Sequence, residues 1–311
     1  MTSPVAGTAS SVNNNEFWTG FMLAGLGAIL FSAKAIVVKF TYQHGVDALT
    51  VIGFRMMMSL PFFAAIGFYQ ARKARQGRLP RLTRKECLQL IFLGFIGYYL
   101  SSFLDFLGLQ YISAGLERLI LFLSPTFVLL LSALLLNKPI SGRQWLALGL
   151  SYLGVVFVFV QDLSFSGASV LVGSAFVLAS AFSYSFYLIG SGELIKRVGS
   201  TRLVAYAMSV SSIISMVHFF GVYGLQGLEQ SAAVYQLSLI HAIVNTVVPT
   251  FMIMWAVARI GAPMTAQLGL LGPVSVLFLA AWLLGEPITT LQLLGTVITL
   301  SGAVVLSKRR V

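Results

Sequence analysis

Charge is what this sequence has least of. Only 9% of its 311 residues are Asp, Glu, Lys or Arg, against 58% hydrophobic, whereas soluble domains carry about a quarter charged residues. A soluble core cannot absorb that much apolar surface, which excludes a soluble enzyme or binding domain. Cysteine is nearly absent: Cys87 alone excludes an intramolecular disulfide and a multi-cysteine metal site. Three isolated histidines do not make a metal centre either, so no metal is expected. No Walker A sequence, HExxH pair or GxSxG elbow occurs, which disfavours an ATP-driven pump, and nothing calls for a cofactor. The first sixteen residues, MTSPVAGTASSVNNNE, hold no Lys or Arg, and the apolar segment after them is too long for a signal-peptide core. They read as a disordered tail.

What is present is apolar segments. A spanning helix needs about 20 mostly apolar residues. Apolar runs set against loop signals give ten spans, near 17–39, 48–70, 88–110, 112–136, 143–161, 168–190, 203–223, 236–258, 262–284 and 288–307. The longest polar interruption, ARKARQGRLPRLTRKE, holds seven basic residues between spans two and three and belongs in the cytoplasm. The remaining loops then alternate. Lys138 and Arg143, Lys196, Arg197 and Arg202, Arg259, and Lys308, Arg309 and Arg310 all fall on the same side, so sixteen of the twenty Lys and Arg lie inside. Both termini are then cytoplasmic, and the net charge of +11 marks topology rather than nucleic-acid binding.

The chain also repeats itself. Residues 112–156 align without gaps on 260–304 at an offset of 148, with Pro125 on Pro273, Pro139 on Pro287, Gln144 on Gln292 and Gly154 on Gly302. Five spans per repeat is an odd number, so the second copy must cross in the opposite sense, as in many secondary transporters. The expected fold is therefore an all-α polytopic membrane protein of ten transmembrane helices in two inverted five-helix repeats, residues 17–161 and 168–307.

The segments GLERLILFLSPTFVLLLSALLLNKPIS (115–141) and GAPMTAQLGLLGPVSVLFLAAWLLGEPIT (261–289) resemble the EamA-type drug/metabolite transporter superfamily. The resemblance spans about residues 17 to 307. It implies ten helices, an inverted repeat, a central cavity and export of amino acids, related metabolites or drugs across a bacterial-type inner membrane. The first half departs from the pattern at Asn137-Lys138, where the second has Gly285-Glu286.

Four basic residues remain outside the loops. Lys39 can end span one and snorkel. Lys34, Arg55 and Arg118 lie in apolar segments together with Asp105 and Glu117, where a charge left facing lipid costs about 3 kcal/mol or more. With a helical rise of about 1.5 Å per residue, all five fall in the outer half, and all belong to the first repeat. Asp105 and Arg118, each about one and a half turns from the loop between spans three and four, are expected to face each other. The charges could lock helices together or bind substrate and protons. Three cations against two carboxylates leave one excess positive charge, suited to a carboxylate-bearing or zwitterionic metabolite.

Further candidates lie on polar stripes: Tyr98, Ser101 and Asp105; Ser180, Ser183, Tyr184, Tyr187 and Ser191; and His241, Asn245 and Pro249. Each has a packing alternative, because Ser bonds between helices and Tyr fills interfaces. Pro61, Pro125, Pro249 and Pro273 remove backbone hydrogen bonds inside spans. Pro125 and Pro273 are the hinge candidates, being repeat-related. Gly20, Gly25, Gly27, Gly149 and Gly154 are read as close-contact positions.

The leading expectation is a secondary transporter, an exporter of a small metabolite, working as monomer or homodimer with proton coupling left open. A membrane enzyme on a lipid-linked substrate and a channel are the alternatives.

Overall fold

The computed structural model describes residues 14–137 and 139–307. Asn14, Asn15 and Glu16, read from sequence as tail, are already helical. The rest of that tail, and the expected cytoplasmic Lys138, Lys308, Arg309 and Arg310, lie outside the described residues.

All regular structure among the described residues is helical. Eight helices are long and apolar enough to cross a membrane: α1 (Asn14–Tyr42), α2 (Ala48–Arg75), α3 (Arg84–Leu109), α4 (Ala114–Leu134), α5 (Gly142–Ser164), α6 (Ser169–Gly192), α7 (Ser200–Leu228) and α8 (Ala232–Gly261). Two more follow, α9 (Leu271–Leu284) and α10 (Thr290–Ser307). The 262–284 segment, read from sequence as one span, is in two pieces. Gly261 leaves helical geometry (φ 77°, ψ 159°), and a turn at Gly269 and Leu270 separates α9 from the piece before it. Pro273 explains the break, because it cannot donate to the Gly269 carbonyl one turn back; the Gly272 N–H takes that carbonyl instead at 3.0 Å.

The same irregularities occur in the first half. α4 breaks at Phe122 and Leu123, just before Pro125, and the freed Leu121 carbonyl accepts from Ser124 Oγ at 2.6 Å. A π-helical turn widens α3 at Phe95–Leu100 and α8 at Ile243–Val247, again 148 residues apart. Pro249 accounts for the second of these, since a widened turn relieves the clash with the preceding turn; nothing in the sequence of the first marks it. Asn137 and Gly285 both end their helices in the left-handed conformation (φ 51° and 69°). Asparagine is the side chain that tolerates this best after glycine, so the Asn137-Lys138 departure keeps the backbone path at Asn137. The turns that follow also match: Ser141 with Gln144, and Thr289 with Gln292, form reciprocal caps at the starts of α5 and α10.

The packing reproduces this pairing. α2 lies against α7, α4 against α9 and α5 against α10, while α1 packs on α8 and α9 as α6 packs on α3 and α4. Exchanging the first five helices for the second five maps this set of neighbours onto itself. All four tryptophans, Trp18, Trp145, Trp255 and Trp282, are 54–80% exposed near helix ends, as in the aromatic belts of membrane proteins. Loops gather at two ends. At one end Arg197 Nε meets Glu86 at 2.7 Å and Arg202 donates to the Pro80 carbonyl at 2.7 Å. At the other, Lys39, Tyr111, Asp162 and Glu286 surround a vestibule of about 490 Å³. Near that second end Asp47 caps α2, accepting from Thr50 N–H at 2.9 Å and Tyr223 Oη at 2.5 Å. Burial pushes the Asp47 carboxyl up, but those hydrogen bonds outweigh it and hold the group below the usual carboxylate range.

Small residues set the closest approaches. A Cβ on Gly154 would strike the Gly295 carbonyl and Thr299, and one on Gly295 would lie 2.5 Å from the Gly154 carbonyl oxygen. Gly20 and Gly27 are likewise pressed by Ile260 and Ile253 of α8, but Gly149 faces open space, against the expectation of a close contact. Gly154→Leu should therefore destabilise the protein by about 1–3 kcal/mol, while Gly149→Leu should be close to neutral. Thermal unfolding of both variants in detergent checks the pair, and equal losses would contradict the α5–α10 contact.

Candidate functional site

The site begins at a break in α1. The helix is interrupted at Ala33 and resumes with Lys34. Asn245, from the π turn of α8, donates through Nδ2 to the Leu30 carbonyl just before the break at 2.7 Å. Lys34 is 8% exposed. Its ammonium bonds Asp105 of α3 and lies 3.5 Å from Glu117 Oε1 of α4. Glu117 is fully buried, and neither of its oxygens receives a hydrogen bond from the described residues. Asp105 keeps Oδ1 unpartnered as well. One ammonium thus faces two carboxylates drawn from two other helices.

Arg55 of α2 sits beside this cluster without a carboxylate partner in hydrogen-bonding range among the described residues. It donates from Nε to Thr246 Oγ1 at 3.0 Å and from Nη1 to Ser102 Oγ at 3.4 Å. Thr246 lies in the π turn of α8 and Ser102 just after that of α3, so one guanidinium joins the two widened turns across the halves. The buried Phe106 ring backs both cations, with Lys34 Nζ 5.9 Å and Arg55 Cζ 5.5 Å from its centroid.

Arg118 differs from both. No hydrogen bond or ion pair reaches it from the described residues, and its Nε is buried and unpartnered. Its guanidinium lies over Phe31, 5.9 Å from the ring centroid. Lys34, Arg55, Asp105 and Arg118 line one cavity of about 260 Å³, with Tyr98 and Tyr184 among its walls. Pockets for drug-sized ligands run from about 300 Å³ upward, so this one suits a small metabolite. Its chemistry is a guanidinium without a hydrogen-bond partner among the described residues, a hydroxyl-held guanidinium and an ion cluster, with aromatic rings among the walls.

A family model of EamA-like transporters matches residues 18–160 and 171–308. The chain belongs to the EamA-like transporter family. It is thus a multi-pass membrane transporter of the drug/metabolite type and not an enzyme. The uncharacterized transporter YcbK of Bacillus subtilis (strain 168) is 30% identical over 295 residues, covering 92% of this chain and 91% of the relative. A probable amino-acid metabolite efflux pump of Escherichia coli (strain K12) is 29% identical over 305 residues, covering 90% and 92%. An S-adenosylmethionine/S-adenosylhomocysteine transporter of Chlamydia trachomatis serovar L2 is 27% identical over 200 residues, covering 62% and 59%. A crystal structure with 15% identity is similar in fold, with a TM-score of 0.60 over 93% of this chain and 96% of that one.

In this EamA-like transporter the sequence candidates separate into groups. Lys34, Arg55, Asp105, Arg118, Tyr98 and Tyr184 share the cavity, and Pro125 is on its wall. Glu117 stands behind Lys34. Tyr187 stands behind Tyr98, their hydroxyls 3.0 Å apart. His241 and Asn245 are buried outside the cavity, His241 with both ring nitrogens unpartnered among the described residues and its ring 5.4 Å from Phe106. Pro273 opens α9 away from the cavity wall. His218 bonds Tyr99 Oη through Nδ1 at 2.6 Å, remote from the ion cluster. The expected Asp105–Arg118 pair does not form. Lys34, entering at the α1 break, takes Asp105, and Arg118 turns into the cavity. Thr246, Ser102 and Phe31 escaped sequence reasoning; the hydroxyls look like routine helix-packing residues, and Phe31 is one of 24 phenylalanines.

Charge neutralisation predicts unequal and coupled losses in this cluster. Lys34→Met strands two carboxylates and should cost about 3–5 kcal/mol. Asp105→Asn leaves Lys34 with Glu117 and should cost less. The double variant should be more stable than the sum of the singles by about 1–3 kcal/mol. Equilibrium unfolding of the four proteins in detergent measures this, and simple additivity would contradict the pair.

Proposed function

We propose that this transporter is a bacterial inner-membrane exporter of a small carboxylate-bearing or zwitterionic, amino-acid-like metabolite. It works by alternating access as ten spanning helices in two inverted repeats, residues 17–161 and 168–307, with both termini in the cytoplasm. The observation that carries the reading is Arg118, a guanidinium on the wall of the cavity with no hydrogen-bond or ion-pair partner among the described residues. An unpaired charge within an apolar bundle is retained only against a strong cost, and a bidentate carboxylate is the ligand that matches a guanidinium best.

Several observations support the remaining parts. The break at Gly269 and Leu270 accounts for a ninth span in two pieces, and the ends of α9 and α10 agree with a ten-span count. Matched irregularities at a spacing of 148 residues support two copies of one five-helix unit. An odd number of spans per copy inverts the second. Basic residues at the Glu86–Arg202 end support placing that end in the cytoplasm. The direction of transport and the chemical class agree with the name of the Escherichia coli relative.

Proton coupling is assigned to Glu117. Its carboxylate shares a single ammonium with Asp105 and lacks other donors among the described residues, so a proton there changes how firmly Lys34 is held. Substrate at Arg118, the next residue in α4, then feels the change directly.

The test separates function from packing. Arg118→Met removes no ion pair, so it should leave thermal stability unchanged or higher while lowering transport at least tenfold, the loss expected when a charge-assisted contact of about 1.5–3 kcal/mol is removed. Glu117→Gln should lose accumulation driven by a pH gradient yet keep exchange of substrate for substrate. Both are read in proteoliposomes with amino acids and small organic acids. Wild-type transport by Arg118→Met would remove the carboxylate site, and a wild-type pH response in Glu117→Gln would remove the coupling role.

A further inference from the structure

The start of α4 is tied down in an unusual way. The Ala114 N–H lies 3.1 and 3.2 Å from the two oxygens of Glu286, a residue of the α9–α10 turn in the other half of the molecule. Glu286 also holds Lys39, at the end of α1, at 3.4 Å. The adjoining Ser113 N–H donates to Asp162 at 3.0 Å, and Thr289 bonds Gln161 across the same vestibule. Two carboxylates therefore cap one helix N-terminus, where negative charge is favoured. Glu117 and Arg118 follow Ala114 by three and four residues, within one turn. Whatever moves the start of α4 moves those two side chains.

The repeat makes this arrangement one-sided. By the offset of 148 residues the counterpart of Glu286 is Lys138, and the counterpart of Ala114 is Ala262. An ammonium has no lone pair to accept an amide hydrogen bond, and a cation beside a helix N-terminus is disfavoured. By sequence, the repeat-related position carries a side chain that cannot make this cap.

We propose that Glu286 is a positioning residue that latches the vestibule end of the transporter. It clamps the end of α1 and the start of α4 to the second half, and its release accompanies opening of the cavity toward that end. With no equivalent acid at the other end, the resting protein favours the state closed at the vestibule and accessible from the opposite face. That the vestibule is the outer end rests on the topology proposed above.

The experiment uses a reporter cysteine at Thr250, on the cavity wall, in a Cys87→Ser background. Labelling by a membrane-impermeant maleimide is timed in right-side-out and inside-out vesicles. Glu286→Gln and Glu286→Lys should label about tenfold faster from the outer face and more slowly from the cytoplasmic face, as a shifted two-state equilibrium requires. Glu286→Asp should restore much of the original pattern. Lys39→Met, which leaves the α4 cap intact and serves if the Glu286 variants fold poorly, should shift both rates the same way by less. Unchanged rates at both faces, or a rise at both as from general loosening, would overturn the latch. Faster labelling from the cytoplasmic face with slower labelling outside would keep the latch and overturn the topology.

Discussion

The rest of the structure depends on one buried ammonium. Lys34 enters where α1 breaks and must be neutralised, because a bare charge among apolar helices is too costly to keep. Asp105 and Glu117 do this from α3 and α4, which fixes where those helices stand relative to α1. The break in turn needs support, and Asn245 supplies it by occupying the Leu30 carbonyl. Removing the ammonium would leave two carboxylates facing each other, so the placement of α3 and α4 against α1 turns on this contact.

Around that constraint the scaffold is nearly symmetric and the chemistry is not. Each half carries a π turn in its third helix, a broken fourth helix before a proline, a left-handed cap and a reciprocal cap at the fifth helix. Such features weaken regular hydrogen bonding and are common where helices bend or bind. The embedded charges, by contrast, all belong to the first half. The second half contributes hydroxyls and amides, with Thr246 holding Arg55 and Asn245 holding α1. One half therefore provides the charges and the other presents the groups that orient them. Arg118 is the exception, with a ring contact to Phe31 but no hydrogen bond or ion pair from the described residues, which is why it is read as the place for substrate.

Much of this was legible in the chain because membrane insertion leaves strong, long-range marks. Apolar runs, basic loops and the offset of 148 residues follow from hydropathy and repetition alone. The same physics that excludes charge from lipid made Lys34, Arg55, Asp105, Glu117 and Arg118 conspicuous, and depth counted along each helix brought them to one level. Azimuth was the missing quantity. A rise per residue gives depth but not which way a side chain faces across a bundle, so Asp105 was expected to meet Arg118 and instead meets Lys34. Local irregularity was equally hidden: the α3 π turn has no proline to announce it, and without it nothing singles out Ser102 or Thr246 from ordinary packing hydroxyls. His241 stood out as a rare membrane imidazole, yet it packs on Phe106 behind the cavity.

The central claim is that Arg118 receives the carboxylate of a small metabolite. The most direct measurement is thermal stabilisation of the purified wild-type protein by matched ligand pairs, each amino acid or organic acid set against its methyl ester. Binding to the native state raises the apparent melting temperature in proportion to the logarithm of ligand concentration over Kd. The account predicts that at least one free acid stabilises the protein while its ester, which keeps the side chain but loses the anion, does not. Equal stabilisation by acid and ester would contradict it.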